Sequence, residues 1–182
     1  MESGEPDLAD RLRTGSSAAL AEAYDLHHDA LRTFAQRLVG DPLEAEDLVH
    51  ETFLALPRAM RSFRGDAPLR TFLVGIAANL ARHHVRAATR RRALHARSTE
   101  DEAPPVPTPE GNTQRRELAE ALVRALDELP FDQRVAVVLC EIEELTSAEA
   151  ARIVDAPEAT VRTRVFHAKK KLREILSARG VR

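Results

Sequence analysis

Residues 98–112 read STEDEAPPVPTPEGN, and no compact helix or sheet can run straight through them. The four prolines lack the amide hydrogen that both ladders need, and each disfavours helical geometry in the residue before it. Acids surround them and little beyond Val106 could enter a core, so the stretch is expected to stay extended. On either side apolar residues recur at spacings of three and four, with little alternation at two. The expected fold class is all-α: two small helical domains joined by a flexible linker. The expected divisions are a flexible N-terminus over 1–15, a first domain over 16–92, the linker over 93–114 and a second domain over 115–178.

In the first domain, Leu20, Tyr24, Leu31, Phe34 and Leu38 share one face of a helix that Gly40 stops. Asp41-Pro42-Leu43-Glu44 restarts the chain as a capped helix, with Asp41 as cap, Pro42 in the first turn and Glu44 at the capping-box position. Leu48, Val49, Phe53, Leu56 and Met60 mark its core side. A loop over 63–66 precedes a long helix on which Leu69, Phe72, Leu73, Ile76 and Leu80 repeat. In the second domain, Leu118, Leu122, Ala125, Leu126 and Leu129 resume helical spacing up to Pro130, and a further helix is expected over 131–143.

The sharpest local signal follows. Thr146-Ser147-Ala148-Glu149 is a second capping box, opening a short helix through Val154; Asp155-Ala156 makes a turn and Pro157 begins a longer helix. That is the helix-turn-helix arrangement, which lays its second helix in a DNA major groove. Val161, Val165, Ala168, Leu172 and Ile175 fall on one face, while Thr163, Phe166 and Lys170, flanked by Arg162 and His167, fall on the other. A Phe between basic side chains is costly on a passive surface but suits a thymine methyl, with Arg162 free to reach a base edge or phosphate.

Charge supports two nucleic-acid contacts. The formal net charge is only -2, yet residues 82–97 hold six Arg, three His and no acid. Bases also outnumber acids over 152–182, whereas acids gather at 44–47, 100–102 and 141–144. The opening MESGEPDLAD lacks the apolar core of a signal peptide and no apolar run reaches membrane-spanning length, so a cytoplasmic chain without membrane insertion is expected. A single cysteine, Cys140, excludes an internal disulfide and reads as a small apolar residue of a core helix. Adjacent histidines at 27–28 and 83–84 point in different directions on a helix, so neither a metal nor a cofactor is expected.

The stretches DPLEAEDLVHETFLAL and SFRGDAPLRTFLVGIAANLARHHVR resemble region two of extracytoplasmic-function (ECF) sigma factors, and ELPFDQRVAVVLCEIEELTSAEAARIVDAPEATVRTRVFHAKKKL resembles their region four. The resemblance implies a subunit without catalytic chemistry that binds core RNA polymerase, at the clamp helices of its largest subunit and at the flap, and directs it to promoter DNA. It implies that Glu46, Asp47, Leu48, His50 and Glu51 dock on the clamp helices. Phe63, Arg64, Gly65 and Asp66, with Asn79, Arg82 and Arg86 on the following helix, match the reader of the minus-ten element, where a flipped base is held. Arg162, Thr163, Phe166, His167 and Lys170 match the readers of the minus-thirty-five element, and the linker matches a tether through the polymerase cleft. Members are commonly restrained by an anti-sigma factor and serve stress responses, so such a partner is expected.

Several positions depart from that pattern. Phe72 stands where Trp is usual, Leu56-Pro57 replaces a Leu-Trp pair, Cys140 and His167 stand where Arg is frequent, and Asp155 and Ala159 stand where Gly is common. These bear on promoter sequence more than on class. The chief alternative is a stand-alone helix-turn-helix regulator, which accounts for the second domain but leaves the acidic helix and the basic helix of the first unexplained. A protein-binding helical adaptor is the other alternative; it predicts no salt-sensitive DNA affinity. No phosphate loop, nucleophile elbow or paired metal ligands suggest an enzyme.

Overall fold

A computed structural model describes residues 5–95 and 113–179, all of whose regular structure is helical. α2 (Ser17–Val39) starts where the Ser16 hydroxyl accepts the amide of Ala19. It ends at Gly40, whose φ of 70° closes the last turn in the left-handed region that glycine enters without penalty. α3 (Pro42–Ala59) begins at once because one Asp41 carboxylate oxygen accepts the amides of Leu43 and Glu44, each at 3.0 Å. A 3₁₀ turn (Met60–Ser62) and the loop around Gly65 lead into α4 (Leu69–His95). α2, α3 and α4 pack around Phe34, Leu38, Leu48, Leu56 and Leu73, all essentially buried. Leu48, Val49, Phe53, Leu56 and Met60 are buried as their spacing required.

Three expectations are corrected here. Residues 5–13 are not a flexible leader: α1 (Glu5–Arg13) lays Leu8, Ala9 and Leu12 into the core, and Arg13 donates to the carbonyl of Phe63 at 3.1 Å. Its apolar residues lie one turn apart, so a nine-residue helix buries an entire side against α2. Glu44 does not reach back to complete a capping box. Its carboxylate is buried between His84 (3.0 Å) and Arg91 (2.7 Å) of α4, where a charge-assisted tertiary pair outcompetes an exposed amide. The linker expected over 93–114 begins later and ends sooner, because residues 93–95 continue α4 and 113–114 open α5 (Thr113–Asp127). The rest of it, 96–112, lies outside the described residues.

The second unit packs α5, α6 (Phe131–Val137), α7 (Ser147–Val154) and α8 (Glu158–Ala178) around Leu126, Leu129, Val138, Leu139 and Val161. α6 runs on as a π-helical turn over Val138–Ile142 before the chain reverses. Leu118, expected inside, is about half exposed, because it lies near the start of α5, away from the contacts that cover Ala125 and Leu126. The capping box at Thr146 is complete: its hydroxyl accepts the Glu149 amide and the Glu149 carboxylate accepts the Thr146 amide at 2.8 Å. Asp155 then turns the chain with φ 47°, in the left-handed region where Asp is among the few tolerated non-glycine residues.

One contact between the two units is made by a buried arginine. Arg134 is 3% exposed, yet its guanidinium donates to the carbonyl of Leu38 at 2.6 Å, at the end of α2, and to the carbonyl of Asp127 at 2.6 Å. It also pairs with the Asp127 carboxylate at 2.8 Å. Replacing Leu12 with Ala should destabilise the first unit by about 2–5 kcal/mol, the range for a buried leucine. Urea unfolding followed by circular dichroism measures this; an unchanged midpoint would mean that α1 is not docked in solution.

Candidate nucleic-acid and protein interfaces

The helix-turn-helix is formed as its spacing required. α7 and α8 are joined by the Asp155–Pro157 turn, and Val161 and Ala168 are buried on the inner side of α8. Arg162, Thr163, Phe166, His167 and Lys170 all lie on the exposed side, with Phe166 66% exposed. The Phe166 ring meets His167 edge-on at 5.5 Å, Thr163 donates to the carbonyl of Ala159, and Arg162 pairs with Glu158 one turn earlier. These contacts are local and solvent-facing, so an incoming duplex can displace them cheaply. The result is a convex helix with a basic and aromatic face, the shape a major groove admits.

The loop residues and α4 build a second site. Phe63, Arg64 and Asp66 of the loop, Phe72 and Ile76, and Asn79 one turn further on line a cavity of about 600 Å³. The Phe63 and Phe72 rings meet at 4.8 Å between centroids, tilted 55° to each other, and the Arg13 guanidinium lies over the Phe63 ring at 5.8 Å. An apolar wall of two aromatic rings with polar groups at its rim suits one planar heterocycle, held by stacking and edge hydrogen bonds. Gly65 supplies the positive φ of 77° that turns the loop over the cavity. Arg86 is exposed along the same helix; Arg82 pairs instead with Asp132 of the second unit at 2.5 Å and lies over the Phe131 ring. Glu149, Arg152 and Ile153 of α7 close the far side of the cavity.

The acidic helix is only partly as expected. Leu48 has no exposed surface and belongs to the core, so it is removed from the docking set: an apolar residue one position from Asp47 points roughly 100° away, into the bundle. Asp47, His50 and Glu51 are exposed, while Glu46 is half-buried against His28 (2.9 Å) and Arg32 (3.0 Å). His50 lies parallel to Tyr24, and Glu51 holds His84 at 2.7 Å. Sequence reasoning missed Leu43 and Leu54, which are 67% and 80% exposed. They lie four residues before and seven after Asp47, on the same stripe of α3, and that spacing was the available signal. Exposed leucines bracketing a carboxylate make a face for another protein rather than for nucleic acid.

Two shifted groups bear on these surfaces. The Glu46 carboxylate, helped by Asp29, raises the pKa of His28 above its ordinary value, against the opposing effect of burial. In turn His28 holds Glu46 below the usual carboxylate range. Burial, reinforced by Glu141, pushes the Cys140 thiol up, which leaves little thiolate at neutral pH.

Known proteins share this construction. Residues 23–91 match Sigma-70 region 2 and residues 119–172 match Sigma-70, region 4. The ECF RNA polymerase sigma-E factor of Escherichia coli (strain K12) is 31% identical over 171 residues, covering 90% of this chain and 89% of that one. The RNA polymerase sigma-H factor of Pseudomonas aeruginosa is 29% identical over 177 residues, covering 93% and 92%. In architecture, the chain is similar to the sigma factor RpoE bound to the anti-sigma factor NepR from Bartonella quintana, with a TM-score of 0.61 at 25% identity, covering 86% and 96%. CnrH, solved with the cytosolic domain of CnrY, shares the fold with a TM-score of 0.68 at 23% identity, covering 97% and 99%. A chain carrying both sigma regions in this order, and matched along nearly all its length, belongs to the ECF sigma factor family. It is an RNA polymerase sigma factor that directs promoter-specific transcription initiation.

Two outcomes follow for the shifted groups. His28 should titrate above the ordinary histidine value of about 6.5 by NMR, and Glu46→Gln should bring it down. Because the His28 value is raised and the Glu46 value lowered, the stability from this pair is full between the ordinary carboxylate range and about pH 6.5, and is lost as pH rises through the folded His28 value or falls through the folded Glu46 value. Cys140 should react slowly with a maleimide near neutral pH and become reactive in denaturant; rapid labelling of the native chain would contradict its burial.

Proposed function

We propose that the chain docks on the clamp helices of core RNA polymerase through the exposed stripe of α3, and reads promoter DNA with two separate surfaces. Asp47, flanked by Leu43 and Leu54, makes the main docking contact, with Glu46, His50 and Glu51 at its edge; region four adds a contact at the flap. Phe63, Arg64, Gly65, Asp66 and Asn79 take a flipped base of the minus-ten element in the aromatic-walled cavity. Arg82 and Arg86 hold the neighbouring phosphates, since guanidinium groups along a helix position a strand rather than read it. Arg162, Thr163, Phe166, His167 and Lys170 of α8 read the minus-thirty-five element in the major groove. The working units are 16–92, extended by α1, and 115–178, with the connection between them as tether.

One observation carries this reading. A loop-and-helix cavity walled by two aromatic rings and an exposed recognition helix occur in one chain, each beside basic side chains. Neither a stand-alone regulator nor an adaptor needs both. The chain contributes positioning and recognition, and polymerase performs the chemistry, so it is a transcription factor and not a catalyst. It works in the cytoplasm, where its polymerase is; among the described residues no helix is long and apolar enough to cross a membrane. An anti-sigma factor is the expected inhibitor, by likeness to the RpoE–NepR complex.

Multi-round transcription with sigma-free core polymerase on fragmented genomic DNA tests the assignment. Discrete transcripts should require the chain. Asp47→Ala and Leu54→Ala should weaken core binding while leaving DNA binding by α8 intact. Arg162→Ala should cost about 1–3 kcal/mol of promoter affinity and relax one base position. DNA binding without any affinity for core would move the assignment to a stand-alone regulator.

A further inference from the structure

Gly75 stands in the interior of α4, where glycine weakens a helix relative to alanine. Packing does not ask for it. Among the described residues, a methyl group there would meet only Ile153 of α7, at 3.6 Å, an ordinary contact distance. What the missing side chain does is leave open the floor of the cavity that Gly75 lines. Around that floor stand Phe63, Phe72, Ile76, Leu80 and Ile153, each only partly buried. The volume of about 600 Å³ falls within the range of about 300–1,000 Å³ typical of small-molecule sites, which commonly lie between domains.

The rim divides by chemistry. Arg64 of the loop and Arg152 of α7 are exposed, and neither forms a hydrogen bond or salt bridge among the described residues. Arg152 lies near Glu149, but that carboxylate is already held by the amide and hydroxyl of Thr146. Two unspent guanidiniums at one opening suit the oxygens of a phosphate chain, which their planar forks bind in pairs. Asn79 and Asp66 supply what the edge of a base needs: the amide donates and accepts, and the carboxylate accepts from ring or amino N–H groups. The rings of Phe63 and Phe72 give a heterocycle a surface to stack on. An open apolar floor, an aromatic wall, a mixed polar edge and paired cations together describe a planar, anionic ligand.

We propose that this cavity binds a free nucleoside triphosphate, with its base against Phe63 and Phe72 above Gly75 and its phosphates on Arg64 and Arg152. The inference goes beyond promoter reading, because it uses Arg152 and Ile153 of α7, which the minus-ten role does not. A bound nucleotide and a flipped base need the same two rings, so each excludes the other.

Isothermal titration calorimetry of the whole chain with ATP, GTP, CTP and UTP, each alone, tests the site. At least one should bind saturably with one-to-one stoichiometry. Its unphosphorylated nucleoside and inorganic tripolyphosphate should each bind at least about tenfold more weakly. Arg152→Ala should weaken the nucleotide about tenfold, the loss expected for a charge-assisted hydrogen bond. Gly75→Leu should abolish binding by filling the floor; if it loses helix content by circular dichroism, Arg152→Ala, at an exposed position, decides alone. Saturable binding by none of the four overturns the proposal. So does tripolyphosphate or the bare nucleoside binding as tightly as the nucleotide, or affinity unchanged in Arg152→Ala. Multi-round transcription by Phe63→Ala separates this site from the promoter assignment. Transcription at the parent's level removes the minus-ten role of Phe63 and leaves the nucleotide site standing. Its loss, with no nucleotide bound by the parent, removes the nucleotide site alone.

Discussion

The relation between the two units depends on the burial of Arg134. A guanidinium brought into the interior needs a carbonyl or carboxylate for each exposed edge, or its desolvation cost goes unmet. Here the partners come from both units: the carbonyl of Leu38 at the end of α2, and the carbonyl and carboxylate of Asp127 at the end of α5. The last carbonyls of a helix have no partner within it, so α2 offers an acceptor just where its Gly40 cap turns the chain away. Asp127 also fills the space beside Gly40, where a methyl group would stand 3.0 Å from the carboxylate.

Within the first unit a second buried network does the opposite and makes a surface rigid. His84 sits between Glu44 and Glu51, and Arg91 bridges Glu44 and Asp41, so the start and middle of α3 are tied to α4. Each ring nitrogen of His84 meets a carboxylate, Glu44 at 3.0 Å and Glu51 at 2.7 Å, so one side chain holds two turns of α3. With its inner side pinned by these pairs and by Leu48, Val49 and Leu56, α3 presents Leu43, Asp47 and Leu54 outward in one orientation. Surfaces that bind rigid helices benefit from such preorganisation, because fewer side chains have to be ordered on docking.

The cavity over α4 and the face of α8 are built differently. The cavity needs tertiary structure, since its rings come from the loop and from α4 and its far wall from α7. The face of α8 needs only a helix and something to cover Val161 and Ala168. That difference explains how each could be read in advance. Arg162, Phe166 and Lys170 follow from counting residues on one helix. For the cavity, the spacing from Phe72 to Asn79 was visible, but the closure by Glu149, Arg152 and Ile153 involves residues seventy or more positions distant.

Local signals in the sequence determined the helices, their caps at Ser16, Asp41 and Thr146, the turn at Asp155, and the broad division into two helical units. Each of these depends on residues within about one turn of one another, where backbone geometry and short-range hydrogen bonds decide the outcome. The same arithmetic would have placed Leu54 beside Asp47, and would have set Arg134 on the face of Val138, four residues away. Tertiary structure alone decided that Glu44 serves His84 and Arg91 instead of its own helix end, that Leu8 and Leu12 are core, and that Asp132 spends its charge on Arg82. These outcomes are competitions among partners far apart in sequence. A charged group takes the partner that best offsets its desolvation, and only the packed chain brings the contenders together.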